Sequence, residues 1–342
     1  MKPLWTTVLA AVILVGCQAP AGGRDANEEV PNQLIKHVAS VPLPGVEGRF
    51  DHFGVDVEGR RLFVAALGNN TLEAIDLATS ERAGTVKALK KPTGIAFVPA
   101  LKQIAVASGD DGMCRFYESP TLKEVASLRG LDDADNVRYD AGADKVYVGY
   151  GSGALAVIDP NTAKKVADVK LEAHPESFRL EEHGDRAFVN LPDAHNSIAV
   201  VDRKKGAVVA TWRLKEAGAN FPMWLDEPNQ RLLVGCRKPA KLLVLDTNTG
   251  KTVAAIDCVG DTDDLFLDPA TQRIYVSGGD GAISVIEQVD KDHYRNAGTV
   301  PTAPGSRTSL FVPELSRLFL AVPHRGDQAA EIRIFQTEAA RR

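Results

Sequence analysis

The chain has 342 residues, of which 44% are hydrophobic and 25% charged, with a formal net charge of −5. This length holds one large domain or two ordinary ones, and the composition is that of a globular protein with a substantial core. The negative charge and the absence of a long basic run argue against nucleic acid as a partner, because phosphates favour clustered Lys and Arg.

The first residues predict export. Lys2 precedes an apolar stretch from Leu4 to Gly16, which is too short to span a membrane comfortably. The stretch ends in LVGC, residues 14–17, which resembles a bacterial lipobox. We therefore expect residues 1–16 to be a lipoprotein signal peptide and Cys17 to be the lipidated N-terminus. An ordinary signal peptide with an incidental cysteine is the alternative.

Residues 17–33 are polar and rich in Ala, Gly, Asn and Glu, which predicts a flexible, lipid-anchored tether. Gln18 rather than an aspartate follows the cysteine, which in well-studied Gram-negative bacteria favours the outer membrane. We expect an exported lipoprotein on the periplasmic side of the outer membrane or at the cell surface, with the lipid anchor as its sole membrane contact.

A β-rich tetrapeptide then recurs seven times, at intervals of 41 to 45 residues. Its copies begin at Leu62, Ile104, Val146, Ala187, Leu232, Ile274 and Leu318. A second strand follows each copy and ends at Asp76, Glu118, Asp159, Asp202, Asp246, Glu287 or Gln336. Six of these seven strand ends are acidic, and turn residues follow them. We therefore interpret the acids as residues that stabilise the turn by bonding local backbone amides, rather than as a functional site.

The repeats predict an all-β fold. Four short strands in every period are typical of a propeller blade, so residues 34–338 are predicted to form a seven-bladed β-propeller of four-stranded antiparallel blades. Two stacked β-sandwich domains would not explain the regular period. The last repeat lacks a fourth strand, whereas IKHVASVPL, residues 35–43, precedes the first inner strand. We expect this N-terminal strand to complete the last blade and close the ring.

Two stretches show the repeat clearly: VYVGYGSGALAVIDPNTAKKVADV from Val146 and LLVGCRKPAKLLVLDTNTGKTVAAI from Leu232. They resemble the YncE-like, YVTN-repeat family of seven-bladed bacterial propellers, and the resemblance covers residues from about 35 to 338. Variants such as IYVS and VYVG replace the tetrapeptide that gives the family its name. The resemblance implies the fold and a secreted or periplasmic location, but little about function. Some members are reported to bind nucleic acid, which the negative net charge here argues against.

Alignment of the tetrapeptides places one residue pair of each blade at the mouth of the central channel. The pairs are Asp51-His52, Thr93-Gly94, Asp135-Asn136, Glu176-Ser177, Phe221-Pro222, Asp263-Asp264 and Arg307-Thr308. They differ between blades, whereas a structural requirement of the repeat would be copied into each. We therefore predict a ligand site formed by Asp51, His52, Asp135, Asn136, Glu176, Phe221, Asp263, Asp264 and Arg307. Loops between second and third strands lie on the same face and add His324 and Arg325.

Carboxylates that converge on a channel mouth repel one another, and raised pKa values, a counter-cation or a bound metal would relieve this. A metal site would use Asp135, Glu176 and Asp263, whose oxygen ligands suit Ca²⁺ or Mg²⁺. A solvated polar rim and a site for an organic ligand or peptide are the other interpretations. His52 and His174, each near a carboxylate in the sequence, are candidate general bases.

The sequence contains no nucleophile elbow, phosphate-binding glycine loop, HExxH or haem motif. Our leading hypothesis is a monomeric binding module that takes a small polar ligand, a peptide or a partner protein at this top face. The alternative is a divalent-metal-dependent hydrolase or lactonase with the metal at the channel mouth. Gluconolactonase-like and regucalcin-like propellers have that arrangement, usually with six blades.

Three cysteines follow Cys17 in the chain: Cys114, Cys236 and Cys258. None lies in a CxxC motif, and an odd number cannot all pair internally. A Cys236–Cys258 disulfide and buried free thiols are both open alternatives.

Overall fold

In the computed structural model, which describes Met1 and residues 34–337, the strands form seven antiparallel four-stranded sheets arranged as a propeller. Blade 1 contains β2 (Phe53–Asp56), β3 (Arg61–Ala66), β4 (Thr71–Asp76) and β5 (Glu81–Val86). Blade 2 contains β6 (Pro92–Val98), β7 (Gln103–Ser108), β8 (Met113–Glu118) and β9 (Glu124–Arg129). Blade 3 contains β10 (Val137–Asp140), β11 (Lys145–Tyr150), β12 (Ala154–Asp159) and β13 (Lys164–Lys170).

Blade 4 contains β14 (Phe178–Leu180), β15 (Arg186–Leu191), β16 (Ser197–Asp202) and β17 (Ala207–Arg213). Blade 5 contains β18 (Gly218–Asp226), β19 (Arg231–Lys238), β20 (Ala240–Asp246) and β21 (Thr252–Asp257). Blade 6 contains β22 (Thr262–Asp268), β23 (Arg273–Gly278), β24 (Ala282–Gln288) and β25 (Tyr294–Pro301). Blade 7 contains β26 (Ser309–Val312), β27 (Arg317–Val322), β28 (Glu331–Thr337) and β1 (Ile35–Pro42). Short 3₁₀ turns span Leu67–Asn69, Pro99–Leu101 and Pro313–Leu315.

The hydrophobic core is divided among the spaces between neighbouring blades. Successive residues of a strand point to opposite faces of the sheet, so β3 packs Leu62 and Val64 against blade 7 and Phe63 against blade 2. Both faces of the middle strands are buried, which is why their sequences are continuously apolar. Outer strands meet solvent on one face, and β21 alternates accordingly between half-buried and exposed residues.

The ring closes as predicted. Strand β1 pairs antiparallel with β28, with Val41 opposite Ile332 and Ile35 opposite Thr337. The Val41 side chain is fully buried between blades 7 and 1. The N-terminal strand of the propeller therefore supplies the fourth, outer strand of blade 7 and covers the edge of β28.

The strand-end acids confirm their interpretation as turn residues. Asp76 accepts hydrogen bonds from the backbone N–H groups of Ala78 and Thr79, at 2.8 and 3.2 Å. Asp246 does the same with Asn248 and Thr249, at 3.1 and 2.9 Å. These carboxylates hold local turns on the face opposite the predicted site.

Cys114, Cys236 and Cys258 are free thiols. The disulfide alternative is excluded, because strand β20 lies between Cys236 on β19 and the end of β21, which Cys258 follows. The predicted signal peptide (1–16), lipidated Cys17 and tether (17–33) lie outside the residues with a described conformation. Among the described residues, no helix is long and apolar enough to cross a membrane.

Candidate functional site

The aligned residue pairs surround a cavity of about 230 Å³ at the mouth of the channel. Seven of the predicted binding residues line it: Asp51, His52, Asp135, Glu176, Phe221, Asp263 and Arg307. A repeated pair of backbone hydrogen bonds positions them. Asp51 donates its N–H to Ala65, and Ala65 donates to His52, at 2.8 and 3.0 Å. Blades 3 and 4 repeat this pattern, so each inner strand begins at the same height.

Two cavity carboxylates have no partner. Among the described residues, the side chains of Asp51 and Glu176 make neither a hydrogen bond nor an ion pair, although Asp51 is only 6% exposed. Burial, and then the charges of Asp135 and Asp263, raise the pKa of Asp51 well above its ordinary value. Burial and the Asp135 charge raise the pKa of Glu176 to about 8. Both groups would gain from a cation in the cavity.

His174 joins the acidic side of the cavity. Its Nδ1 lies 2.7 Å from the Gly151 carbonyl oxygen, and its Nε2 lies 3.9 Å from an Asp135 carboxylate oxygen. Asp135 and the Gly151 carbonyl raise the pKa of His174 to about 9. Burial raises the pKa of Asp135, but His174 and His52 outweigh it and hold that pKa below its ordinary value. Donor atoms of Asp135, His174 and Glu176 all lie within 4.8 Å of one another.

On the opposite side of the cavity, the carboxylate of Asp263 is paired with arginines. Arg237 and Arg307 both bind the Asp263 carboxylate, at 2.5 and 3.0 Å. Arg307 also contacts Asp261 at 2.9 Å, and the Arg237 guanidinium stacks 3.7 Å from the centre of the Phe221 ring. The cavity therefore has paired charges on blades 5 to 7 and unpaired carboxylates on blades 1 and 4.

Four predicted residues lie outside the cavity lining. Asn136 Nδ2 lies 2.9 Å from His52 Nε2, and Asp264 lies 3.9 Å from His52 Nδ1, so both contact a lining residue. His324 is half-buried and forms an ion pair with Glu47 at 2.8 Å. Arg325 exchanges backbone hydrogen bonds with Gln328.

The lining also contains Thr93, which the alignment placed at the mouth without assigning it to the site, and His174, a candidate general base. Its remaining residues were not predicted: Arg49, Lys91, Asp133, Ala134 and Arg237. Arg237 lies at the end of β19, in a loop set already assigned to this face, so its position was predictable. Lys91 and Asp133 form an ion pair at 3.2 Å between blades 2 and 3. That contact depends on the spacing of neighbouring blades, which no single repeat encodes.

The seven four-stranded sheets and the pairing of β1 with β28 make this chain a seven-bladed β-propeller. No family model and no curated protein matches it. Among solved structures, hydrazine synthase of Kuenenia stuttgartiensis matches with a TM-score of 0.75 at 14% identity, covering 87% of this chain and 99% of that one. A chain in the crystal structure of a mitotic checkpoint complex matches with a TM-score of 0.75 at 13% identity, covering 98% of this chain and 99% of that one. At these identities the likeness shows the fold alone, and membership of the YVTN-repeat family stays a prediction.

Proposed function

We propose that this protein is an exported, lipid-anchored propeller that binds a small polar ligand or peptide through a cationic group at the channel mouth. The observation that carries the proposal is the pair of unpartnered carboxylates, Asp51 and Glu176, on the wall of one cavity. The lipobox-like LVGC ending at Cys17 supports export and anchoring.

The charge distribution favours an amine as the cationic group. Arg237 and Arg307 are engaged with Asp261 and Asp263, and the remaining arginine of the lining, Arg49, is exposed to solvent, so the groups of low exposure left without a partner are the carboxyls, which a bound cation would hold ionised. A buried carboxylate without a partner is costly, and an ammonium group that donates hydrogen bonds to it removes that cost. The cavity of about 230 Å³ has room for several groups the size of a water molecule, which suits one end of a ligand.

Three probes of one carbon skeleton test this assignment: n-butylamine, n-butanol and butyrate, each at matched ionic strength. Thermal unfolding should shift upwards with n-butylammonium alone, and a probe at ten times its Kd should stabilise the native state by about 1.4 kcal/mol. The Asp51→Asn, Glu176→Gln double variant should lose the shift. Glu172→Gln, at an exposed residue of the same loop, is the matched control. Equal stabilisation by all three probes, or a shift retained in the double variant, refutes the proposal.

A divalent-metal hydrolase is the second candidate, favoured by the proximity of Asp135, His174 and Glu176. The imidazole makes Mn²⁺ or Zn²⁺ suitable ions beside the Ca²⁺ or Mg²⁺ suggested by oxygen ligands alone. Such an ion would supply an activated water to a lactone or ester. Each metal alone is the probe. A thermal shift that EDTA reverses and His174→Ala abolishes would support this candidate, whereas no shift with any of the four ions would exclude it.

A further inference from the structure

Below the mouth, the inner strands bring a second set of residues to one level of the channel. Arg138, Arg179 and Trp224 pair with Tyr147, Phe188 and Leu233, each of which is the second residue of its tetrapeptide. The three therefore occupy equivalent positions on the adjacent blades 3, 4 and 5. Phe266 and Leu310 hold the same position on blades 6 and 7, so most of this level is apolar.

Neither arginine has a carboxylate partner. Arg138 Nη1 donates to the Val137 carbonyl at 2.8 Å, and its buried Nε has no hydrogen-bond partner. Arg179 Nε donates to the Met223 carbonyl at 2.9 Å, and its guanidinium lies 4.3 Å from the centre of the Trp224 ring. Within the described part of the chain, no ion pair shorter than 4.0 Å involves either residue.

Other arginines of low exposure in the same structure are paired. Arg231 contacts Asp246 at 2.9 Å and Asp292 at 2.5 Å, and Arg203 forms an ion pair with Asp140. The contrast identifies the channel pair as an exception to the way this protein treats buried cations.

The exception is energetically unfavourable. Burial lowers the pKa of Arg138, and burial together with the Arg138 charge lowers the pKa of Arg179 well below its ordinary range. A guanidinium does not give up its proton in proteins, so neutralisation cannot relieve the repulsion. Asp264 attracts both arginines, but its carboxylate accepts the Ser309 N–H at 2.9 Å, and burial raises its pKa to about 7.

We propose that Arg138 and Arg179 bind a small oxyanion, a carboxylate or phosphate group, inside the channel beside Trp224. Two neighbouring guanidinium groups present several N–H donors, which matches the geometry of such oxyanions. The anion supplies the missing counter-charge and a partner for the Arg138 Nε. This site is independent of the amine site at the mouth, and its variants leave Asp51 and Glu176 unchanged.

Arg179 and Trp224 also line a groove of about 640 Å³ on the opposite face, and the proposal takes this groove as the approach for the anion. Of the four carboxylates in the groove, Glu181, Asp226 and Glu227 are engaged with other residues, whereas the exposed Glu182 has no partner among the described residues. Glu181 binds Arg186 at 2.5 Å, and Glu227 accepts the N–H groups of Glu182 and His183 at 2.7 and 2.9 Å. Of the two arginines in the groove, Arg186 is paired with Glu181, so Arg179 is the one that lacks a carboxylate partner among the described residues.

Trp224 provides a direct reporter. The chain has three tryptophans, and Trp5→Phe with Trp212→Phe leaves Trp224 as the sole emitter. Sodium phosphate, sulfate and acetate are titrated at constant ionic strength against sodium chloride, with fluorescence and thermal unfolding as readouts. A saturable change in emission and a rise in Tm are expected. A larger response to phosphate indicates a phosphate group as the ligand, and a larger response to acetate indicates a carboxylate.

Arg138→Met and Arg179→Met keep an unbranched apolar stem and remove the guanidinium with its charge. Each should weaken the anion response at least tenfold, and each should raise Tm without anion because an unpaired buried charge is gone. Arg138→Lys retains charge and part of the response, which checks that the fold tolerates substitution. Arg295→Gln, at an exposed arginine paired with Glu287, is the matched control. A response equal to that in chloride, or one that survives in the Arg138→Met, Arg179→Met double variant, overturns the proposal.

Discussion

Replacement of Asp264 by Asn tests the electrostatics of the channel. Burial raises the pKa of this carboxyl from 3.8 to about 7, with His52 opposing and Asp263 reinforcing the effect. The unfolded chain loses the proton near pH 3.8 and the folded protein near pH 7. The folded state therefore binds more protons between these values, and the free energy of unfolding contributed by Asp264 falls as the pH rises through this window.

The expected magnitude follows from the same values. A difference of about 3 pH units corresponds to ~4 kcal/mol, and the 14% exposure of the side chain lets solvent screen part of it, which leaves about 2–3 kcal/mol. Asn keeps an oxygen for the Ser309 N–H but carries no charge. Asp264→Asn should therefore be more stable than wild type by this amount at pH 8 and equally stable at pH 4.

Urea unfolding followed by circular dichroism at pH 4, 6 and 8 measures the difference. Other groups titrate in the same range, and subtraction of the two proteins removes their contribution. Asp280→Asn, at an exposed residue of the same blade, should match wild type at every pH. An Asp264→Asn protein that is less stable than wild type at pH 8, or whose difference is constant with pH, would show that burial does not control this carboxyl.

Two further predictions concern the scaffold. Val41→Ala in the closing strand should lower the free energy of unfolding by about 1–2 kcal/mol because Val41 is fully buried. Val38→Ala, at a 42% exposed residue of the same strand, should change it by less than about 0.5 kcal/mol. Urea unfolding of both variants measures the difference. Burial raises the pKa of Cys114 and Cys236 to about 12. Neither thiol should therefore react with iodoacetamide at pH 8 until urea unfolds the protein. Mass spectrometry of the labelled peptides measures this. Labelling of the native protein at either position would contradict the packing described for it.

The fold was predictable because each blade repeats one solution to burial. A middle strand such as β3 is apolar throughout since both faces meet neighbouring blades, and that pattern recurs seven times. The missing last strand indicated where β1 belongs, and the pairing of Val41 with Ile332 confirms it.

The level of the site was also predictable, since the register of each inner strand follows from its tetrapeptide. Which charged side chains of the site form ion pairs could not be predicted. Asp263 and Glu176 occupy equivalent positions in the repeat, yet Asp263 is held by Arg237 and Arg307, whereas Glu176 has no partner among the residues that the structure describes. The side chain of Arg237 reaches this point from a different strand. The sequence did not identify Arg138 as a site residue because VRYD is an ordinary strand sequence. Whether Arg138 has a partner depends on the side chains that other blades place in the channel.

The channel holds opposite charges at two levels, because they lie at different positions along the inner strands. Asp135 and Arg138 are three residues apart at the start of one inner strand, which places their backbones about 10 Å apart along the axis. That separation lets each charge influence the other, and Asp135 does oppose the lowering of the Arg138 pKa. An ion pair needs contact within about 4 Å, and among the described residues neither Arg138 nor Arg179 comes that close to a carboxylate of the mouth. The two sets of charge therefore do not neutralise one another by direct contact, and under both proposals each takes its counter-ion from outside the chain.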